Sequence, residues 1–398
     1  MTQVEEKNET GRRETFETAL ASRANSFGVL RLVLASLVIV DHAFPLGGFG
    51  RDPLWARTRG QTSFGSIAVL GFFAISGYLI AKSAARLDVL QYVWHRVLRI
   101  FPAYWTALVV GAFVVGPLVW IAGDNPIGTY VNRAINGPLS YVWSNADLGI
   151  NTYGIHNIFA TTTPYGLEVG ASVLNGSIWT LIYEWRCYLI VGVLALGAIL
   201  TKHRSVLLGG VTAVGVLQLA EAASPGFLAK SVPILSDPQL LPLVFVFLVG
   251  STFAAYRDRI VVDHRLGLFS FFVLALTLRY GGFVPFGLVA GAYAVLYLAA
   301  KLPPVFQRVG AKNDYSYGIY VYGFLVQQTL AYLGVYRWGY IPFVVVALAV
   351  SAGLAWLSWH AIEKRALALK AWGPGKGLRY WTSNVRTKWN RLRPQSVE

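Results

Sequence analysis

Residues 27–45 read FGVLRLVLASLVIVDHAFP, an apolar run with one cation, Arg31, near its start and the pair Asp41-His42 near its end. At about 100° per residue, the eleven-residue spacing of Arg31 and His42 puts both on one helical face, offset by roughly 20°. At about 1.5 Å of rise per residue they lie roughly 16 Å apart along the axis, about half the thickness of a hydrocarbon core. Ionisable groups inside such a helix are costly to bury and mark functional positions. The plainer reading is an Arg that snorkels to the interface and a His bonded to a neighbouring helix.

Composition supports the membrane reading. Of 398 residues, 55% are hydrophobic and 13% charged, against about 25% charged in a soluble domain. The net charge of +15 would suggest nucleic acid in a soluble protein, but here the cations gather in alternate loops. Nucleic acid is therefore not an expected partner; the lipid bilayer is. The single cysteine, Cys187, excludes disulfides, cysteine zinc sites and iron–sulfur clusters. No cleavable signal is visible in the polar first 26 residues, and the arm 1–26, with Arg12, Arg13 and Arg23, reads as a cytoplasmic tail.

Ten apolar runs of spanning length follow, at roughly 28–46, 65–83, 101–122, 177–200, 205–222, 239–256, 266–280, 283–300, 315–335 and 340–361. The seventh and eighth are the shortest and meet at Tyr280-Gly281-Gly282. The pattern predicts an all-α integral membrane bundle of about ten helices, with both termini on one side. With the N-terminus inside, the inner segments hold about 25 of the 34 Lys and Arg, nine of them in the C-terminal tail. The short loops agree without the tail, so both termini are expected in the cytoplasm.

Two outer stretches lack a helical pattern. Residues 47–64 are rich in Gly and Arg; residues 123–176 are rich in Asn, Thr, Gly and Tyr. The second suits stacking and hydrogen bonding to a neutral carbohydrate, and equally suits a plug packed into the top of the bundle. The tail 367–398 interleaves cations with Trp372, Trp381 and Trp389, as an interfacial segment on anionic lipid does.

Five groups carry polar chemistry. His42 can accept a proton from an attacking hydroxyl, with Asp41 beside it or turned toward another helix. His95-Arg96-x-x-Arg99 places two guanidinium forks on one face, suited to phosphates, although positive-inside anchoring also accounts for them. Asn175, Trp179, Tyr183 and Glu184 enter the fourth helix, where an unpaired carboxylate would be costly unless Arg186 or another Arg meets Glu184. Ser76 and Tyr78 flank Gly77 in the second helix, a small-residue patch that packing alone would explain. Tyr315, Tyr317 and Tyr320 open the ninth helix, where an aromatic belt is the simpler account.

Taken in order, Arg31-x10-His42, FFAISGYLI (72–80), HRVLRIFPAYW (95–105), NGSIWTLIYE (175–184), SYGIYVYG (316–323) and WHAIEKR (359–365) resemble the acyltransferase-3 family of integral membrane acyltransferases over residues 27–366. The resemblance implies a ten-helix bundle in the inner (plasma) membrane that moves an acyl group, commonly acetyl, from acyl-CoA to a hydroxyl of an exopolysaccharide, lipopolysaccharide or lipid-linked glycan. Polysaccharide biosynthesis and export proteins are the partners that would follow. It implies catalytic roles for His42 and Arg31, with Asp41 and Glu184 as accompanying acids. Arg96 and Arg99, with Ser76 and Tyr78, would engage acetyl-CoA, and Asn175, Trp179, Tyr183 and Tyr320 the acceptor. No metal is implied.

The chain departs from the family pattern at Leu70-Gly71, where an acid is sometimes found, and at Arg365, where a Pro commonly follows the Ile-Glu-Lys element. Glu363, in that element, is expected to be structural. No soluble hydrolase-like domain is expected after the tenth helix. A flippase for a lipid-linked glycan, or a scaffold in an export complex, would also need polar cavities and long outer loops, but leaves Arg31-x10-His42 unexplained.

Overall fold

A computed structural model describes residues 13–21, 25–131 and 136–383; Arg12, Arg23 and Trp389 lie outside the described residues. The described residues are helical, without a strand; the nearest approach to a sheet is one antiparallel bridge between Thr15 and Val261. Helices occupy all ten apolar stretches. They are α1 (Phe27–Leu46), α2 (Phe64–Ala84), α3 (Val89–Ala122), α4 (Ser177–Leu196), α5 (Arg204–Ala223), α6 (Leu240–Ala255), α7 (His264–Tyr280), α8 (Phe283–Lys301), α9 (Ser316–Tyr332) and α10 (Tyr340–Ala371). Seven are long and apolar enough to cross a membrane; α6, α7 and α9 have 16, 17 and 17 residues.

The third helix starts earlier than the apolar run suggests. Phe101-Pro102 reads as a helix start because Pro suits the first turn. The Asp88 carboxylate instead caps the amides of Leu90 and Gln91, and the helix runs through Pro102. A wide turn at Gly111–Val115 then re-aims its outer end. His95, Arg96 and Arg99 therefore project from a continuous helix rather than from a loop.

Close packing comes from small residues. A Cβ at Gly77 would collide with the Phe247 carbonyl, and one at Gly250 with the Ala74 carbonyl, so α2 and α6 touch backbone to backbone. Ser251 adds a hydrogen bond of 3.2 Å to the Gly77 carbonyl across this contact. Gly323 meets Ile39 between α9 and α1, and Gly318 meets Ala355 between α9 and α10. Gln327 of α9 also donates to the Ile39 carbonyl at 2.9 Å.

The basic loops gather at one end. Lys82 donates to the Leu20 carbonyl at 2.8 Å, Arg204 pairs with Asp258 at 2.7 Å, and Gln91 reaches the Gly375 carbonyl at 3.2 Å. The described part of the N-terminal arm belongs to this cluster and is packed rather than a free tail. Phe16 and Leu20 are buried, Glu14 pairs with Lys301 at 2.8 Å, and Glu17 with Arg257 at 3.4 Å. The Phe16 ring packs against those of Tyr78, Phe253 and Tyr293.

At the other end, both irregular stretches pack onto the bundle. Asp52 caps a short helix at Leu54 and accepts from the Phe64 amide, while Gln61 reaches the carbonyls of Thr277 and Leu278. In 123–176, Tyr141, Leu148, Ile155 and Phe159 are buried, and Tyr104 of α3 donates to the Asn145 carbonyl at 2.5 Å.

Gly77→Ala should lower the stability of the detergent-solubilised protein by roughly 1–3 kcal/mol, because the added methyl forces α2 and α6 apart. Gly353→Ala, on a helix face with open space around it, should leave the melting temperature unchanged or slightly raised. Equal melting temperatures for the two variants would rule out the backbone contact.

Candidate functional site

Two cavities enter the bundle from opposite ends. The first, about 290 Å³, opens at the basic end and is lined by side chains of α1, α2, α3, α4, α9 and α10. At its centre the Asp314 Oδ2 accepts from Arg31 Nη2 at 2.6 Å and from Arg99 Nη2 at 2.5 Å. Ser316 Oγ donates to Asp314 Oδ1 at 2.5 Å. Arg99 also lies 3.6 Å from Glu363, whose other oxygen accepts from Ser358. Two cations and two carboxylates thus form a quartet with no net charge, joining α1, α3, the start of α9 and α10. Burial alone would raise the Asp314 carboxyl, but the Arg31 and Arg99 guanidiniums, with Ser316, hold it well below the usual carboxylate range.

Arg96, one turn from Arg99, differs from it. Its guanidinium lies over the rings of Tyr92 and Tyr188, 5.9 and 5.8 Å from their centroids, and its buried Nε has no hydrogen-bond partner. No carboxylate lies within ion-pairing distance of it among the described residues. Lys370 and His95 share the cavity lining, and His95 Nε2 lies 3.3 Å from the Lys370 carbonyl. The two forks therefore differ: Arg99 meets two acids, whereas Arg96 and Lys370 meet no acid among the described residues.

Deeper in, Glu184 Oε1 accepts from Ser76 Oγ at 3.2 Å and from the Tyr188 hydroxyl. Among the described residues no Arg pairs with Glu184; Arg186 stacks on Tyr183 instead, 5.5 Å from its ring centroid. Tyr320 closes the inner end, its hydroxyl bonded to the Thr180 hydroxyl and the Ser177 carbonyl.

The second cavity, about 470 Å³, opens at the other end and is lined by His42, Tyr153, Tyr165, Trp179 and Phe324, among others. The His42 ring meets the Phe324 ring edge-on at 5.4 Å and makes no hydrogen bond to another described residue. Asp41 turns away from it, toward Asp52 and Gly65. Arg31 and His42 share a helix but line different cavities.

The structure thus brings Arg31, Arg96, Arg99, Ser76, Glu184 and Tyr320 to one cavity and His42 and Trp179 to the other. It does not bring four candidates to either. Asp41 serves the loop beside α2. Tyr78 is buried against Phe16 and Phe27; Tyr183 donates to Asp237 at 2.6 Å; and Asn175 holds the Val321 carbonyl at 2.8 Å. Sequence reasoning missed Asp314, Lys370 and Thr180. Asp314 had a legible signal, an acid just before a helix start, but such acids usually cap their own helix and nothing local points to two arginines far away in the chain.

Comparison with known proteins gives the family. A family model described as an acyltransferase domain matches residues 25–360. The chain is 28% identical to an O-acetyl transferase of Shigella phage Sf6 over 352 residues, 87% of this chain and 96% of that protein. It is 29% identical to nodulation protein 10 of Rhizobium leguminosarum bv. viciae over 366 residues, 87% and 94% of the two chains. No solved structure matches it.

Removing the Asp314 charge leaves two guanidiniums half-buried, so Asp314→Asn should cost roughly 3–5 kcal/mol. A carboxyl held low by the fold contributes stability that is complete above its unfolded value of about 3.9 and lost as pH falls toward the folded one. The mutant should therefore melt below wild type by a similar margin at pH 7 and pH 5, with the gap narrowing only below about pH 4. Thermal unfolding across that range measures it; matching melting temperatures at pH 7 would remove the quartet from the stability of the fold.

Proposed function

Because this chain belongs to the acyltransferase-3 family and is an acyltransferase, we propose that it transfers an acetyl group from acetyl-CoA to a hydroxyl of a carbohydrate in the bacterial inner membrane. The observation that carries the donor assignment is the basic-end cavity, with Arg96 and Lys370 at its wall and no described carboxylate paired with Arg96. A polyanionic nucleotide with a long, neutral arm fits that distribution: cations for its phosphates, then a passage lined by Phe72, Ile75, Leu79 and Ile80 for the arm. Acetyl, rather than a longer acyl group, follows the name of the phage relative.

On this reading all ten helices span, and the basic end faces the cytoplasm, where acyl-CoA is made. The cation distribution supports that orientation. The aromatic second cavity, with Tyr153, Tyr165 and Trp179, suits the apolar faces of a sugar and receives the acceptor. His42 takes the proton of the acceptor hydroxyl as its oxygen attacks the thioester carbonyl carbon. The carbon–sulfur bond then breaks, and His42 returns the proton to the departing thiolate. Arg31, in the basic-end cavity and roughly 16 Å from His42 along α1, orients the donor rather than touching the reacting carbonyl.

Turnover of labelled acetyl-CoA by the lipid-reconstituted protein with a glycan acceptor tests this. His42→Ala should lower kcat at least a hundredfold with its fold intact. Arg96→Ala should act differently, raising KM for acetyl-CoA by about tenfold or more with a smaller change in kcat, as expected for a lost charge-assisted contact. Full activity in His42→Ala would remove the base assignment, and CoA that fails to bind wild type would remove the donor.

A further inference from the structure

The two cavities share one wall. Thr180 and Tyr320 face the basic-end cavity, while Trp179 and Phe324, one residue and one helical turn away, face the other. Thr180 closes the tight turn Ser177–Thr180 that begins α4, which fixes where its side chain starts. Tyr320 and Phe324 are at i, i+4 on α9 and stack along one face. The wall is thus two residues from each side, joined by the Tyr320 hydroxyl to Thr180 and to the Ser177 carbonyl.

Both faces of the wall are constrained. On the donor side Phe72 meets the Tyr320 ring edge-on at 6.2 Å. On the other side Phe324 rests against His42 and over Gly176, where a Cβ would strike its ring. Reacting atoms must approach to about 3–3.5 Å, so a thioester on one side and a base on the other do not react while the wall is shut.

We propose that Tyr320 is a positioning residue that gates passage between the cavities: its hydroxyl latches α9 to the start of α4, and release of that latch admits the acyl end of the donor to the His42 side. The role assigned to the donor rests on the acyltransferase reading; the latch rests on geometry alone. A shut wall keeps water of the open second cavity from the thioester when no acceptor is present. Tyr320 touches the passage rather than the reacting bond, so its loss changes access before it changes chemistry.

Thiol labelling from each side of the membrane separates the two. The full chain, carrying Cys187→Ala and Ser76→Cys, is placed in sealed vesicles of either orientation and treated with a charged, impermeant methanethiosulfonate. With the latch intact, the thiol at position 76 should react from the basic end and be shielded from the other. Tyr320→Phe keeps the ring and removes the hydroxyl, and should raise labelling from the shielded side several-fold, the scale expected when one or two neutral hydrogen bonds cease to hold the closed state. Thr180→Val removes one of the two bonds and should raise labelling in the same direction by less, which keeps the test intact if either variant folds poorly. Equal labelling from both sides with the latch intact, or no rise in either variant, overturns the gate. CoA should protect the thiol from basic-end labelling; if it does not, the donor assignment fails while a sided, latch-dependent pattern still upholds the gate.

Discussion

One shared carboxylate organises the polar interior of this protein. Asp314 precedes α9 in the chain, yet it holds Arg31 of α1 and Arg99 of α3, and through Arg99 it is joined to Glu363 of α10. Taking either cation or either acid out of water alone would cost several kcal/mol, so none of the four is stable without the others. The consequence is geometric as well as energetic. Four segments that are distant in sequence must meet at one depth, and the cavity beside them inherits its shape from that meeting. Neutrality of the quartet also separates Arg99 from Arg96, although the two are one turn apart on the same helix.

Close helix approach supplies the second constraint. Gly77 and Gly250 let α2 and α6 touch through their backbones, Gly318 brings α9 against the Ala355 backbone of α10, and Gly323 makes room for the Ile39 side chain of α1. Apolar side chains face lipid as readily as they face each other, so burial alone does not hold such a bundle; packing contacts and buried hydrogen bonds do. The Gln327 amide on the Ile39 carbonyl and Ser251 on the Gly77 carbonyl are of this kind. These contacts fix α9 rigidly beside α1, and that is why Phe324 can stand against His42 while Tyr320 stands against Thr180.

Much of this was legible along the chain, and the failures share a cause. The ten apolar stretches are helices because apolar runs of that length have few other stable states in lipid. The boundary of α3 was misplaced because the cap at Asp88 lies outside the apolar run that drew attention to Phe101-Pro102. The N-terminal arm reads as a polar cytoplasmic tail, yet two apolar residues of its described part, Phe16 and Leu20, are buried. Tyr78 and Tyr183 sit inside motifs that read as functional, and each spends its hydroxyl on the fold.

Sequence by itself determined the class of the protein: an all-helical membrane domain, the face of α1 that carries Arg31 and His42, the polarity of its two ends, and the family. These are local or additive properties, set by hydropathy, by 3.6-residue periodicity and by the sum of charges in each loop. Only the tertiary structure decided that Arg31 and His42 open into separate cavities, that Arg99 is neutralised while Arg96 is not, and that Asp41 serves a loop instead of the histidine beside it. Those outcomes depend on which side chains from distant segments fill the space between helices. Periodicity gives the direction of a side chain and leaves open what it meets there.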